Sequence, residues 1–447
     1  MDKFKDKKSL LKYARLLEGL SIEQTNNSVF EKQIEYNKKY SGKGKFGQFI
    51  EENYFFKKND NLSAPDFAEI GVELKVSPLK LLKNGDIRVK ERLVLNIIQY
   101  MKILKDKDFF NSHFLYKNKT LLIIFYFHDN QKPIYKLKID LVDLWEILER
   151  DYKQIKLDYE FIIDKIDRGL AHEISEGDTL YLGACTKGST QAKSMCKQPH
   201  ASQLARKRAF CFKTSYINKI YKTLVNEKVH RENLDKRLLE NTNKTLEEYI
   251  YDLFNPYFGK TVQELALMFN FNFKAKAINA NISRKIIGFN KTNKNFYEFD
   301  AAGIQIKTIR VESSGNIKEH MSFKNIPYKE IIIEDWEDST FYEELISKFI
   351  FVIFRKTHDE KDYYLSDVKL WNMPQKDIDE AQIVWEITKS KVLNGDFNNF
   401  PKAKQNRVSH VRPKGRDSYD LMETENYGLQ KKYCFWLNRK YIASQIL

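Results

Sequence analysis

The sequence predicts a mixed α/β fold (α+β, with a mixed sheet), built as two tandem copies of one domain. Three observations support this prediction. The chain has 447 residues, enough for about two to three domains. Segments of helical and strand periodicity alternate along the first half, as in folds that pack helices on a sheet. Several short segments of the first half then recur, in the same order, in the second half.

The elements of the first half follow from these patterns in chain order. Apolar spacing over 8–20 predicts a helix that ends near Gly19, and a polar stretch over 41–48 precedes a short helix over 49–56. A loop with Asp60, Ser63 and Pro65 comes next. The remaining patterns predict a strand over 70–76, a helix over 90–104, a buried strand over 120–127, an alternating strand over 133–141 and a helix over 141–167.

The recurring segments indicate a second copy after a polar linker at 225–246. Segment 43–51 corresponds to 276–284, and 67–75 corresponds to 299–307. The other matches pair 13–24 with 253–265, 121–129 with 351–359 and 209–217 with 434–442. We therefore expect one domain over 1–230 and a second over 231–447.

Composition excludes several classes of protein. Hydrophobic residues at 42% and aromatic residues at 14% supply real cores, which disordered chains lack. The apolar run 121–127 is far shorter than the ~18–20 residues of a membrane span, so no membrane association is expected. The four cysteines, none in a C-x-x-C pair, indicate a reducing and hence cytoplasmic compartment.

The charge of the chain points to a polyanionic partner. Lys and Arg number 76 against 61 Asp and Glu, a formal net charge of +15. Two windows, 179–226 and 398–416, contain no acidic residue but many basic ones. Lysines scattered over solvated faces would explain the total, but clustering in two windows favours surfaces that bind phosphates.

The sharpest chemical pattern is Asp66 followed after six residues by Glu73 and then Lys75. Two carboxylates can share a Mg²⁺ ion, which prefers hard oxygen ligands. Lys75 lies two residues beyond Glu73 and so projects from the same face of a strand. There a lysine can orient a water molecule and stabilise charge on a phosphate, as metal-assisted phosphodiester hydrolysis requires.

The residues from Lys43 to Glu51 read K-G-x-x-G-Q-x-x-E. Together with Asp66 and the G-V-E-L-K of 71–75 they resemble the MutH family of mismatch-repair endonucleases, which includes restriction endonucleases that cut at GATC. The resemblance covers most of 1–225 and recurs weakly in the second half. It implies two tandem restriction-endonuclease-like domains, the second degenerate, and Mg²⁺-dependent hydrolysis of duplex DNA at GATC with no other cofactor.

The same resemblance assigns roles to individual residues. It implies that Asp66, Glu73 and Glu51 serve the metal site and that Lys75 acts on the attacking water. Lys43 would lie near the DNA backbone, and Lys117 would match a family lysine that aids catalysis.

The two basic windows supply the expected DNA contacts. Lys and Arg bind phosphates and guanine, and Gln can read adenine. The candidates are Lys187, Lys197, Gln198, Arg206, Lys207, Arg208, Lys213, Arg412, Lys414 and Arg416. Residues 197–199 stand where the family carries an Arg-Pro-Lys loop but depart from it, whereas 412–414 keep it.

The second copy has lost the metal ligands. Glu51 corresponds to Arg284, Glu73 to Gln305, and Asp66 to Glu298 one residue out of register, while Lys75 is kept as Lys307. A cation and an amide in place of carboxylates predict a copy that cannot cleave. Because its basic window survives, we expect it to bind DNA and to act allosterically; the alternative is a structural scaffold.

The sequence therefore favours a type II restriction endonuclease that cuts both strands of duplex DNA at GATC. Two alternatives remain open: a mismatch-repair enzyme that nicks one strand, and a DNA-binding regulator without activity. A single intact metal site per chain also leaves open self-association on DNA, which would supply a site for each strand.

Overall fold

The computed structural model describes residues 4–25, 44–57, 64–82, 84–129, 131–188, 194–229, 236–240, 242–290 and 295–447. Contacts divide the chain into two compact units. The first comprises Met1–His172 and Thr179–Leu234, and the second comprises Glu173–Asp178 and Asp235–Leu447. Helices and mixed sheets make up both units, which confirms the predicted fold class. Within the described ranges, no helix is long and apolar enough to cross a membrane.

The first unit alternates short helices with strands. Its helices are α1 (Lys7–Ala14), α2 (Ile22–Thr25), α3 (Lys45–Asn53), α4 (Tyr100–Ile103), α5 (His113–Asn118), α6 (Glu149–Asp167) and α7 (Thr214–Lys228). Its strands are β1 (Glu73–Leu81), β2 (Ile87–Val89), β3 (Leu93–Ile98), β4 (Thr120–Phe127), β5 (Ile139–Glu146), β6 (Leu182–Thr186), β7 (Met195–Gln198), β8 (Ala201–Arg206) and β9 (Arg208–Phe212).

The central sheet of this unit has the strand order β2-β1-β4-β5. β1 and β4 run parallel, with Glu73 opposite Leu121, and the other pairs are antiparallel. α3 packs its apolar face, including Phe46 and Ile50, into the core beneath β1. This packing brings the next residue of the helix, Glu51, towards the start of β1.

A second sheet, β3-β9-β6, and the hairpin β7-β8 carry the first basic window. β9 is buried along its whole length, because every residue from Arg208 to Phe212 lies in the interior. The hairpin instead exposes Ser202, Gln203 and Leu204 of β8. Basic residues of the same window are thus divided between the core and the surface.

Two predicted elements of this region are wrong. The run 90–104 contains strand β3 and the short helix α4 rather than one helix, because Leu93–Ile98 pairs with β9 and buries its apolar side chains there. The strand predicted over 133–141 lies at Ile139–Glu146, and the helix after it begins only at Glu149. Pairing with β4 extends the strand into a segment whose spacing also suits a helix.

The second unit repeats this architecture. Its helices are α8 (Leu246–Phe254), α9 (Val262–Met268), α10 (Ile278–Ile287), α11 (Tyr297–Ala302), α12 (Tyr328–Ile331), α13 (Thr340–Leu345), α14 (Gln375–Leu393) and α15 (Arg439–Ile446). Its strands are β10 (Gln305–Val311), β11 (Met321–Asn325), β12 (Phe349–Lys356), β13 (Tyr363–Trp371), β14 (Ser409–Pro413), β15 (Leu421–Glu423), β16 (Leu429–Lys431) and β17 (Tyr433–Leu437).

Its sheets have the orders β10-β12-β13, β11-β17-β14 and β15-β16. β10 and β12 run parallel, and Gln305 stands opposite Phe349 at the start of the pair. The first residue of β10 thus has the same place in its sheet as Glu73 has in the sheet of the first unit. α10 packs against β10, as α3 packs against β1.

Candidate active site

The candidate active site lies where the chain turns into β1. A short 3-10 turn, Ala68–Ile70, ends at Gly71, whose φ of +64° lies in the left-handed region that glycine adopts without strain. The turn brings Asp66 back beside Glu73: the Asp66 N–H donates to Glu73 Oε2 at 3.1 Å. Asp66 Oδ2 in turn accepts from the Leu74 N–H at 2.9 Å. Backbone hydrogen bonds therefore hold the two carboxylates together.

Two lysines approach the same carboxylate. Lys75 Nζ donates to Glu73 Oε1 at 2.6 Å, and Lys117 Nζ lies 3.6 Å from that oxygen. Lys117 comes from the last turn of α5, a helix whose N-terminus is capped by the Ser112 side chain. Glu73 is almost fully buried, so these charge-assisted contacts are shielded from water. The structure thus brings together four of the predicted residues: Asp66, Glu73, Lys75 and Lys117.

Glu51 interacts with this cluster through its charge. Burial, followed by the charge of Asp66, raises the pKa of Glu51 to about 7. Burial and the charge of Glu73 also raise the pKa of Asp66. A bound cation stabilises carboxylates that repel one another in a partly buried site.

A divalent metal fits this site through two carboxylates. Within the described residues, no group of three His, Cys, Asp or Glu side chains is close enough to hold a metal ion. The predicted set of Asp66, Glu73 and Glu51 is therefore not a preformed three-ligand cluster. Mg²⁺ commonly binds through only one or two carboxylates, with water and substrate phosphate completing its shell. The hard oxygens of Asp66 and Glu73 match that chemistry.

The structure corrects three predicted DNA contacts in the first basic window, because their side chains are buried and bonded to the backbone. Arg208 donates from Nη1 to the Ala184 carbonyl oxygen at 2.5 Å. Lys213 donates from Nζ to the Thr179 carbonyl oxygen at 3.1 Å. Gln198 accepts from the Ala171 N–H and donates to the Gln203 carbonyl oxygen, at 2.8 and 2.7 Å. Their role here is to brace the fold.

Other basic candidates lie at the surface. Lys197 and Lys207 are exposed, and Lys187 and Arg206 are half-buried. Gln203, which the sequence patterns did not single out, is also exposed, in a run of three exposed residues on β8. Lys43, Asp60 and Ser63 lie outside the described residues.

In the second unit, Arg412, Lys414 and Arg416 are all exposed. The Arg412 guanidinium lies 5.5 Å from the centre of the Trp436 ring, and Arg416 is 3.7 Å from a carboxylate oxygen of Asp420. Lys414 donates to a backbone oxygen of β11.

The second unit has a different set of side chains at the start of its strand. Glu298 precedes Gln305 by seven residues, the same spacing as from Asp66 to Glu73, so the expected one-residue offset is wrong. Glu298 is buried and accepts from the Leu238 and Leu239 N–H groups, at 3.0 and 3.2 Å. It braces the chain near 238 rather than pairing with residue 305.

This constellation defines a class of protein: a mixed α/β hydrolase whose paired carboxylates and lysines suit metal-assisted cleavage of a phosphodiester. Comparison with known proteins agrees. The family model "DNA mismatch repair enzyme MutH" matches residues 55–158 and again 287–384, one segment in each half. The chain is 33% identical over 448 residues to the type II restriction enzyme Sau3AI of Staphylococcus aureus, covering 88% of this chain and 91% of that protein.

The chain therefore belongs to the MutH family, and it is a site-specific deoxyribonuclease of the type II restriction class. The paired family matches also confirm tandem restriction-endonuclease-like domains.

Proposed function

We propose that this enzyme cuts both strands of duplex DNA at GATC in a Mg²⁺-dependent reaction, and that its second unit is a copy that binds DNA without cleaving it. One observation carries the proposal: Asp66, Glu73 and Lys75 converge at the start of β1 through hydrogen bonds of 2.6 to 3.1 Å. The choice of GATC rests on the resemblance to the GATC-cutting branch of the family and on the similarity to Sau3AI.

The chemistry divides among four side chains. Asp66 and Glu73 would hold Mg²⁺, which when bound supplies a Lewis acid and lowers the pKa of water. Lys75, held by Glu73, donates a hydrogen bond to the attacking water and orients it towards the phosphate. Lys117, on the same carboxylate, offsets the negative charge that develops on the phosphate. The buried Glu73 contacts both lysines and so orients them towards the site.

Glu51 serves this site by accepting a proton. With a pKa of about 7, its carboxyl is partly protonated near neutral pH. In the metal-free site this proton removes the negative charge that Glu51 would otherwise add to those of Asp66 and Glu73.

The exposed basic residues of the first unit form the DNA surface that we propose. Lys197 on β7 and Lys207 beyond β8 neutralise phosphates, together with Lys187 and Arg206. We assign the reading of adenine, expected of Gln198, to Gln203 instead, because the Gln203 amide is exposed and available to a base edge.

The second unit binds DNA with its own basic residues. Arg412 and Arg416 project from the second window into solvent. At the position of Glu73 this unit carries Gln305, which provides no anionic metal ligand. A unit that binds the site without cutting it can favour the cleaving state of the enzyme by binding that state better.

Digestion of a plasmid of known sequence, followed by mapping of the ends, tests the proposal. With Mg²⁺ and no other protein we expect double-strand breaks at GATC, and none after chelation of the metal. Single-strand nicks alone would support the mismatch-repair alternative. Binding without any cleavage would support the inactive regulator, and breaks at another sequence would refute the GATC assignment alone.

A further inference from the structure

The second unit contains a cavity of about 420 Å³ beside its degenerate site. Helix α10, the strand β10 and the start of β11 line it. β10 is the edge strand of its sheet, so one side of the strand faces this space rather than another strand of the sheet. The cavity thus lies where the first unit carries its catalytic residues, at the start of the strand and the end of the preceding helix.

Two cations of the cavity wall occupy positions of the active site. Arg284 on α10 corresponds to Glu51, and Lys307 on β10 corresponds to Lys75. In the first unit, Lys75 is neutralised by Glu73 at 2.6 Å. The second unit has Gln305 instead, so Lys307 has lost this counter-ion.

Neither cation has a carboxylate within ion-pair distance in the described part of the chain. The guanidinium of Arg284 lies over the ring of Phe289, 4.2 Å from its centre. The ammonium of Lys307 lies 5.9 Å from the centre of the Phe323 ring. Both side chains are therefore placed by aromatic rings, which leave their N–H donors available.

The surroundings of Lys307 add to the need for an anion. Burial lowers its pKa; the charge of Glu344 acts in the opposite direction, and the charges of Lys414 and Lys324 lower the pKa further. An anion that enters the site stabilises a partly buried ammonium that other cations repel.

Other charged groups of the cavity wall are already engaged. Arg310 is paired with Glu319, and Asp300 accepts a hydrogen bond from Asn295. Asp300 keeps its negative charge in the cavity wall, but it is not within ion-pair distance of Arg284 or Lys307 in the described part of the chain.

We propose that this cavity binds a phosphodiester of duplex DNA without a metal ion, with Arg284 and Lys307 as its two cationic ligands. The inference rests on the proposed role of the second unit as a DNA-binding copy, and it names the site that holds the backbone. Arg284 suits a phosphate because its planar fork can donate two parallel hydrogen bonds. Lys307 adds a second positive charge for the phosphate, at the position that Lys75 has beside the metal site of the first unit. Arg284 replaces the carboxylate Glu51 and Gln305 replaces the carboxylate Glu73, so this site has lost the anionic groups that would attract Mg²⁺, and the phosphate is held and not cut.

The test uses the full chain carrying Glu73→Gln, in EDTA, so that no DNA is cleaved. Fluorescence anisotropy measures the binding of a labelled GATC duplex across a range of salt concentrations. We expect Arg284→Ala with Lys307→Ala to weaken binding about tenfold and to reduce the log–log salt slope by about 0.9, the value for one phosphate contact. Lys276→Ala with Lys285→Ala is the matched control, because it also removes two charges, from exposed positions outside the cavity wall.

Unchanged affinity and slope in the folded double variant would overturn the inference. If the double variant does not fold, Arg284→Gln and Arg284→Lys replace it: the first should weaken binding, and the second should restore most of it. Inorganic phosphate provides a further arm. If the double variant loses phosphate binding but keeps DNA binding, the site takes a free anion and the assignment to DNA is wrong. Failure of the proposed function would be seen separately, as absence of GATC cleavage by the unsubstituted enzyme with Mg²⁺.

Discussion

The substitution Glu73→Gln tests the active site directly. Glu73 is 3% exposed and accepts hydrogen bonds from the Asp66 N–H and Lys75, with Lys117 close by. Glutamine keeps the shape of this side chain but removes its charge. The second unit already carries this change, as Gln305.

The expected loss of rate follows from these contacts. Glutamine removes an anionic metal ligand and the anion that holds both lysines. Removal of one preorganised electrostatic group lowers rates by about 10²–10³. Because the lysines are also released, we expect a fall of at least about 10³, or about 4 kcal/mol in the barrier. DNA binding should persist, because the exposed basic residues are unchanged.

Single-turnover cleavage of a labelled GATC duplex, with enzyme in excess and Mg²⁺ present, measures the effect. Anisotropy under metal-free conditions measures binding, and a thermal melt establishes that the variant folds. Glu69→Gln is the control, since it makes the same change at an exposed position in the neighbouring 3-10 turn. A folded Glu73→Gln variant that cleaves within tenfold of the unchanged enzyme would refute the assignment.

Three further predictions follow from named contacts. The raised pKa of Glu51, about 7 against an ordinary 4.5, means that the folded state binds this proton more tightly, so metal-free stability should fall as pH rises through this range. Because Glu51 is partly exposed, we expect this loss of stability to be about 1–2 kcal/mol. Thermal melts from pH 5 to 8 measure it, and Glu51→Gln should abolish the pH dependence. The same pH profile in the Glu51→Gln variant would contradict the burial of this group. Replacing Lys197 and Lys207 with alanine should lower the salt slope of DNA binding by about 0.9 per lost phosphate contact, and an unaltered slope would place the DNA elsewhere. DNA with two GATC sites should be cut faster than DNA with one. Arg412→Ala with Arg416→Ala should remove this difference and leave the rate on one-site DNA unchanged. Equal rates on both substrates with the unsubstituted enzyme would indicate that the second unit is only a scaffold.

The candidate catalytic motif could be found from sequence because it is local. Asp66, Glu73 and Lys75 lie within ten residues, and the period of two along a strand places Glu73 and Lys75 on one face. One tight turn and one strand are enough to bring the three side chains together. The second copy was recognisable for a similar reason, since each recurring segment is a contiguous stretch of chain.

Elsewhere, strand pairing between distant segments gave a structure different from the one that the local apolar spacing predicts. Leu93–Ile98 has spacing that suits a helix, yet it pairs with β9 as a strand. The resemblance implied a catalytic role for Lys117, but no local pattern indicates its contact with Glu73, which depends on a capped helix beside the parallel pair of β1 and β4. Such contacts join residues far apart in the chain, and no local period encodes them.

Sequence by itself determined the fold class, the duplication and the core of the catalytic motif, because periodicity, recurrence and close spacing are properties of neighbouring residues. Only the tertiary structure decided which basic residues are available to DNA. Arg208 and Lys213 carry the same charge as Lys197 and Lys207, but their donors meet backbone carbonyls inside the fold. It also placed Arg284 and Lys307 in the wall of one cavity, with no carboxylate within ion-pair distance of either in the described part of the chain. Burial and the pairing of charges depend on groups brought together by folding, so they appear only when the chain is folded.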